Sequence, residues 1–106
     1  MMMLSDDDFD EIRQRLEREF GQRLKEVLLY GSEARGEAGP DSDVDVLVIL
    51  DGPVSYGRDL QKAIHALYPM TLRLGRSVLP HIVTDEEYAT QDCPLFRNAR
   101  REGVTL

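Results

Sequence analysis

The sequence lacks several features on which secreted, membrane-bound and zinc-binding proteins depend. It contains one cysteine, Cys93, which has no second thiol for an internal disulfide or a zinc site. No apolar run is long enough to cross a bilayer. The first methionines are followed by Asp6, Asp7 and Asp8 rather than by the apolar segment of a signal peptide. We therefore expect a cytoplasmic protein without a membrane partner.

Positive charge is also scarce, with 13 Lys and Arg residues against 20 Asp and Glu residues and a formal net charge of −7. Proteins that hold long nucleic acids gain much of their affinity from excess Lys and Arg, so we do not expect such a partner. The 106 residues are enough for a single domain, 1–106, with a small core. A small core leaves Leu95, Phe96 and Val104 hard to cover, so we expect a homo-oligomer or a hetero-oligomer.

Helical and strand periodicities alternate along the chain. A capping box at Ser5 and Asp8 begins a first helix, which Gly21 ends. Pro80 lacks a backbone N–H, so the third predicted strand lies at a sheet edge or at a bulge. After the first helix the pattern predicts strands at 27–30 and 43–50, a helix from Tyr56 that Pro69 ends or closely follows, a strand at 77–83, a short helix begun by Thr84, a last helix from Pro94 to Gly103, and a short strand at 104–106.

Two aspartates, Asp43 and Asp45, begin the second predicted strand. Residues two apart on a strand project from the same face, so their carboxylates can bind the same hard cations, such as Mg²⁺. The alternative is a strand start with acidic residues in solvent. Leu47 and Ile49 continue the same alternation and would bury that face, where unpaired carboxylates are costly. We therefore favour a metal site.

A glycine and a serine, Gly31 and Ser32, follow the first predicted strand. Glycine lets the backbone approach a phosphate, and serine offers a hydroxyl and an N–H at a predicted helix N-terminus. We expect the pair to bind nucleotide phosphates, although a plain strand-ending turn is the alternative. Arg35 could neutralise a phosphate or could tie down the acidic loop through Glu37 or Asp41, and the sequence favours neither.

The segment 31–45 resembles the signature of the polymerase-beta-like nucleotidyltransferase superfamily, in the residues Gly31-Ser32-Glu33-Ala34-Arg35-Gly36 and Ser42-Asp43-Val44-Asp45. The small size and the Ala-Arg-Gly tail resemble the minimal nucleotidyltransferases of bacteria and archaea. The resemblance implies an α/β (α+β) fold, with a small mixed β-sheet and helices packed on one side. It also implies that Gly31 and Ser32 contact the triphosphate of ATP and that Asp43 and Asp45 bind Mg²⁺. The implied partner is a HEPN-domain toxin protein, onto which the chain, as antitoxin, transfers AMP.

One position departs from the family pattern. The family carries a third carboxylate on the strand after the central helix, whereas residues 77–83 contain no acid. His81 is the titratable group of that stretch, so we assign it as a candidate catalytic residue, with a structural histidine as the alternative. Two rival functions stay open. One is a nucleotide-binding module that restrains its partner by contact alone, and the other is transfer to a small molecule such as an antibiotic.

Overall fold

Four strands form one mixed sheet in a computed structural model that describes residues 4–31, 34, 36, 39 and 42–106. The strands are β1 (Leu24–Tyr30), β2 (Val44–Leu50), β3 (Val78–Thr84) and β4 (Val104–Thr105). Their spatial order is β3-β2-β1-β4, with β2 antiparallel to β1 and parallel to β3, and with β4 antiparallel to β1. The mixed sheet predicted from the resemblance is confirmed.

The helices of the described residues are α1 (Asp6–Phe20), α2 (Tyr56–Leu74), α3 (Asp85–Thr90) and α4 (Pro94–Glu102), with a single 3-10 turn at Gly21–Arg23. Both predicted capping boxes are present. The Ser5 hydroxyl accepts a hydrogen bond from the Asp8 N–H at 3.2 Å, and the Thr84 hydroxyl accepts one from the Glu87 N–H at 3.0 Å. These caps satisfy backbone donors that have no partner within a helix.

The prediction that Pro69 ends the second helix or closely follows it is wrong, because Pro69 lies inside α2, which continues to Leu74. A proline inside a helix costs about 3 kcal/mol, since it cannot donate to the carbonyl four residues earlier, here His65. Both residues are exposed, so water can reach the freed carbonyl. Beyond the proline, Met70 is fully buried and Leu74 packs against the core. Full burial of Met70 contributes about 1.5–3 kcal/mol and partial burial of Leu74 adds to it, which together offset the proline.

Alternate residues of the strands point to opposite sides of the sheet. The helix face is the side covered by α1 and α2, where helix and strand residues form one buried cluster that includes Ile12, Leu16, Val44, Val46, Val48, Leu50, Ala63 and Leu67. The site face is the opposite side, where a second cluster includes Leu28, Tyr30, Leu47, Ile49, Val83, Phe96 and Ala99. The two long helices therefore share one face, as predicted, and α4 additionally covers part of the other.

The expected shortage of cover near the C-terminus is only partly correct. Phe96 is 7% exposed because α4 turns it onto the sheet, whereas Val104 is 38% exposed. Most of the exposed apolar side chains among the described residues lie instead on α2.

No helix of the described residues is both long and apolar enough to cross a membrane.

An ion pair fixes the beginning of α2 against the turn that precedes β1. Two nitrogens of Arg23 donate to the two carboxylate oxygens of Asp59, at 3.1 and 2.7 Å, and the Ser55 N–H donates to the same carboxylate at 3.1 Å. Asp59 is buried, and the Arg23 guanidinium holds the pKa of its carboxyl below the usual value. No local sequence pattern predicts this pair, because the two residues are distant along the chain.

Candidate functional site

The antiparallel register of β1 and β2 brings the predicted site residues to one end of the sheet. Tyr30 ends β1 and pairs with Asp45 of β2. Gly31 directly follows Tyr30, and Asp43 directly precedes β2. The glycine turn therefore lies beside the aspartates, as expected from the order of the two motifs.

Gly31 occupies a position that no other residue fits without strain. Its φ of +79° lies in the left-handed region that favours glycine. A Cβ atom added there would stand 2.7 Å from Oδ2 of Asp45, which is closer than real side chains approach. The turn backbone therefore packs directly against this carboxylate. Ser32 and Arg35, the other predicted nucleotide-binding residues, lie outside the described residues.

His81 faces the same side of the sheet as Asp45. It pairs with Leu47 in the parallel register of β2 and β3, and paired residues project from one face. Its exposed ring meets the ring of Tyr30 edge-on, with the centroids 5.8 Å apart and the planes at 61°. His81 therefore lies on the third strand, as predicted from the sequence, and the register directs it to the site.

Burial and charge act in opposite directions on Asp45. Burial raises the pKa of its carboxyl, positive charge on His81 opposes the rise, and the negative charge of Asp43 adds to it. Burial of Tyr30, together with the negative charge of Asp45, raises the pKa of the Tyr30 hydroxyl, which therefore stays protonated. The site thus holds a partly desolvated carboxylate beside a second acid, an environment that a bound cation would stabilise.

The backbone before Asp43 is anchored by contacts that the sequence analysis missed. The Ser42 hydroxyl accepts from the Gly39 N–H at 2.9 Å, and the Ser42 N–H donates to the Gly39 carbonyl at 3.2 Å. Arg76, which is 4% exposed, donates from Nε to the Ser42 carbonyl at 2.8 Å. The available signal was an arginine between the helix-ending Gly75 and a strand. This anchor fixes where Asp43 enters the site.

The donor chemistry of the described residues suits Mg²⁺ held from one side. Asp43 and Asp45 offer carboxylate oxygens, the ligands that Mg²⁺ prefers, and Mg²⁺ in nucleotide sites takes its other ligands from water and phosphates. Within the described part of the chain, no three His, Cys, Asp or Glu side chains come together as a metal cage. Two carboxylates plus a substrate therefore fit the ion, whereas the described side chains alone form no closed cage.

The mixed sheet, with the Gly31 turn packed against the Asp45 carboxylate, agrees with the fold of the polymerase-beta-like nucleotidyltransferases. The family model described as a nucleotidyltransferase domain matches residues 9–99. A relative from Methanocaldococcus jannaschii, whose name describes a protein adenylyltransferase, is 30% identical over 93 residues, which are 86% of each chain. The chain belongs to the nucleotidyltransferase domain family and is a nucleotidyltransferase.

Solved structures share the fold at low sequence identity. The toxin–antitoxin complex MntA–HpeT contains a chain with a TM-score of 0.63 and 17% identity, and the match covers 98% of this chain and 72% of that one. The spectinomycin adenyltransferase AAD(9) of Enterococcus faecialis, solved with ATP and spectinomycin, gives a TM-score of 0.65 at 19% identity. That match covers 86% of this chain but 38% of the larger enzyme. The fold is therefore that of nucleotidyltransferases.

Proposed function

We propose that the chain transfers AMP from ATP, with Mg²⁺, onto a hydroxyl of a HEPN-domain partner protein, and that it acts as the antitoxin of that pair. The observation that carries the proposal is the packing of the Gly31 backbone against the Asp45 carboxylate. A triphosphate bound at the turn would lie beside the two aspartates. His81 lies on the same face, where an acceptor hydroxyl could reach it.

The relatives support the nucleotide and the type of acceptor. The name of the Methanocaldococcus relative gives a protein as the acceptor and an adenylyl group as the cargo. The Enterococcus enzyme was solved with ATP, and the MntA–HpeT structure is a toxin–antitoxin complex. Transfer to an antibiotic is less well supported, because this chain spans 38% of that antibiotic-modifying enzyme.

Each candidate residue has a chemical role in this proposal. Gly31 and Ser32 bind the triphosphate, and Asp43 and Asp45 would hold Mg²⁺. When bound, the ion would neutralise the phosphates and stabilise the leaving pyrophosphate. For Arg35 both interpretations stay open: it either contacts a phosphate or anchors the acidic loop.

The transfer forms one bond and breaks one. The acceptor hydroxyl oxygen bonds to the α-phosphorus of ATP, the bond from that phosphorus to the oxygen bridging to the β-phosphate breaks, and pyrophosphate leaves. His81 accepts the proton of the hydroxyl, which a neutral imidazole can do near neutral pH. The neighbouring Tyr30 ring limits the positions open to His81.

The test is to incubate the chain with the HEPN-domain partner, Mg²⁺ and ATP labelled at either the α- or the γ-phosphate. We expect label from the α position alone on the partner, with a mass increase of one adenylyl group. Calorimetry should show ATP binding with Mg²⁺ and none when EDTA is present. Label from the γ position, or an unmodified partner with wild-type chain, would refute the proposal.

A binding module is the second candidate, and one observation favours it. The described residues offer no third acid at the site, and general-base assistance is typically worth about 10²–10⁴-fold in rate. Such a module would bind ATP and suppress the toxin without modifying it. A partner that is inhibited while its mass stays unchanged would favour this candidate.

A further inference from the structure

The exposed apolar side chains of α2 form a continuous stripe. Five of them recur at every fourth residue, so they follow one another along a single side of the helix. The stripe consists of Tyr56, Leu60, Ile64, Tyr68 and Leu72, whose exposed fractions are 49%, 37%, 47%, 56% and 65%. Single exposed apolar residues are ordinary, but a contiguous row of this kind indicates an interaction surface.

Four residues of the stripe, Tyr56, Leu60, Ile64 and Tyr68, form one wall of a groove along the outer edge of β3. One cavity of about 420 Å³ is lined by Ile64 and Tyr68 of α2 and by Leu79 of β3. A second cavity of about 270 Å³ continues it and is lined by Tyr56, Glu87 and Phe96. The two cavities adjoin each other, because Leu60, Pro80 and His81 line both of them.

The backbone of this edge is poorly suited to pairing with another strand. The Val78 N–H, directed away from β2, donates to the Thr71 hydroxyl at 3.1 Å, and the Thr84 N–H donates to Glu87 at 3.0 Å. Pro80, on the same side by alternation, has no N–H. Four residues of β3, all of them described, face away from β2: Val78, Pro80, Ile82 and Thr84. Of these, Ile82 alone has a backbone N–H available to another strand. Because edge pairing needs a row of such groups, side chains must dominate binding here.

Charge further restricts the occupant. The chain carries a formal net charge of −7, so two copies repel each other, and a positively charged partner is attracted. One end of the groove is acidic, since Glu87 lines it and the exposed Asp85 and Glu86 begin α3 beside it. Among the described residues, those that line the larger cavity include no acid. A helix with an apolar stripe and basic residues at its end fits this distribution.

We propose that the groove along the outer edge of β3 docks an amphipathic helix of the partner protein that accepts the nucleotide. The apolar face of the partner helix packs against Ile64, Tyr68 and Leu79, and the basic end of that helix lies near α3. His81 lines both cavities and faces the site, so a helix in the groove brings a neighbouring hydroxyl towards the carboxylates. The identification of the occupant as the acceptor rests on the proposed function.

The test compares two neighbouring residues of α2 that lie on different surfaces. Ile64→Glu places a charge in the groove, whereas His65→Glu places the same side chain in a separate cavity between α1 and α2. Both positions are exposed, so both variants are expected to fold, which circular dichroism checks. We expect Ile64→Glu to weaken binding of the HEPN-domain partner at least about tenfold and His65→Glu to leave it unchanged. ATP affinity should not change in either variant.

A second probe is a synthetic amphipathic helix of leucine and lysine, which tests the groove independently of the partner's identity. It should bind wild type and His65→Glu, and it should bind Ile64→Glu at least about tenfold more weakly. A matched helix of leucine and glutamate should bind wild type more weakly. Equal binding of the lysine helix to all three proteins would overturn the proposal.

The remaining outcomes separate this proposal from the proposed function. A complex that Ile64→Glu disrupts, but in which the partner never gains AMP, supports docking and rejects the transfer. AMP transfer that Ile64→Glu leaves unchanged rejects docking and supports the transfer. Light scattering of the chain alone tests for a second copy, because a dimer that Ile64→Glu dissociates would overturn the proposal.

Discussion

The helix face and the site face of the sheet differ in what covers them, although β2 contributes to both. On the helix face Val44, Val46 and Val48 are fully buried beneath α1 and α2. On the site face, α4 covers the strand only beyond Asp45, which remains half-buried at the uncovered end. The helix face of β2 is therefore packed along the whole strand, whereas the site face is packed only from Leu47 onward. This arrangement lets the other side hold charged groups whose desolvation opposes folding.

The sharpest way to separate the two faces is the double substitution Asp43→Asn/Asp45→Asn. Losing both carboxylates should lower AMP transfer more than about 10³-fold, because metal stabilisation of the transition state is worth several kcal/mol. Thermal stability should stay the same or rise, since Asp45 is partly desolvated and has no ion pair among the described residues. Labelled-ATP assays and thermal melts check the two effects. A variant that binds Mg-ATP with wild-type affinity would contradict the metal assignment.

The opposite result is expected for Leu67→Ala on the helix face. Leu67 is fully buried, so its truncation should cost about 2–5 kcal/mol of unfolding free energy. Leu95→Ala, at a partly exposed position against the site-face cluster, should cost less than about 1.5 kcal/mol. Urea unfolding measures both values. Equal losses would show that the two faces contribute alike to stability.

His81 tests whether the site face performs the proton transfer. His81→Ala should lower AMP transfer about 10²-fold, at the lower end of general-base effects, while ATP affinity stays nearly unchanged. His81→Asp restores the carboxylate of the family pattern and should preserve or raise transfer. Rates at saturating ATP, with affinities from calorimetry, separate the two effects. If wild type and both variants suppress the partner equally without transferring AMP, the binding module is the better description.

The last prediction concerns the contribution to stability of the ion pair between Arg23 and Asp59 at the beginning of α2. Asp59→Asn should cost about 1–2 kcal/mol at neutral pH, between the values for exposed and buried pairs, because Arg23 is partly exposed. Arg23 lowers the pKa of the folded Asp59 carboxyl, so the contribution is complete above the unfolded pKa of about 4 and is lost as pH falls through the folded value. Melts at pH 7 and pH 3 should show the gap between wild type and variant closing in acid. A gap that is constant with pH would contradict this origin.

The sequence predicted most elements because their signals are local. Capping boxes at Ser5 and Thr84, and a proline-marked edge strand, depend on residues a few positions apart. The helix end predicted from Pro69 was wrong, because the local cost of the proline competes with the burial of Met70 and Leu74, which only the packed structure shows.

The site was predictable to the extent that one strand carries it. The alternation that would place Asp43 and Asp45 on one face depends only on the sequence around β2, and both this placement of Asp43 and the metal role of the two residues stay predictions. The contact of Gly31 with Asp45, the ring of Tyr30 against His81 and the support of Arg76 arise from strand register and tertiary packing. Such contacts join residues that no local pattern relates.

The pairing of β1 with β4 also bears on how the chain folds as it is made. β1 pairs with β2 and can do so early, but its other edge pairs at Leu28 with Thr105. The ribosome adds roughly 5–20 residues per second, so about 4–15 s pass between synthesis of the two partners. During that interval the outer edge of β1 is open to neighbouring nascent chains. Crowded polysomes, rather than the finished protein, are therefore where this sheet is most exposed to mispairing.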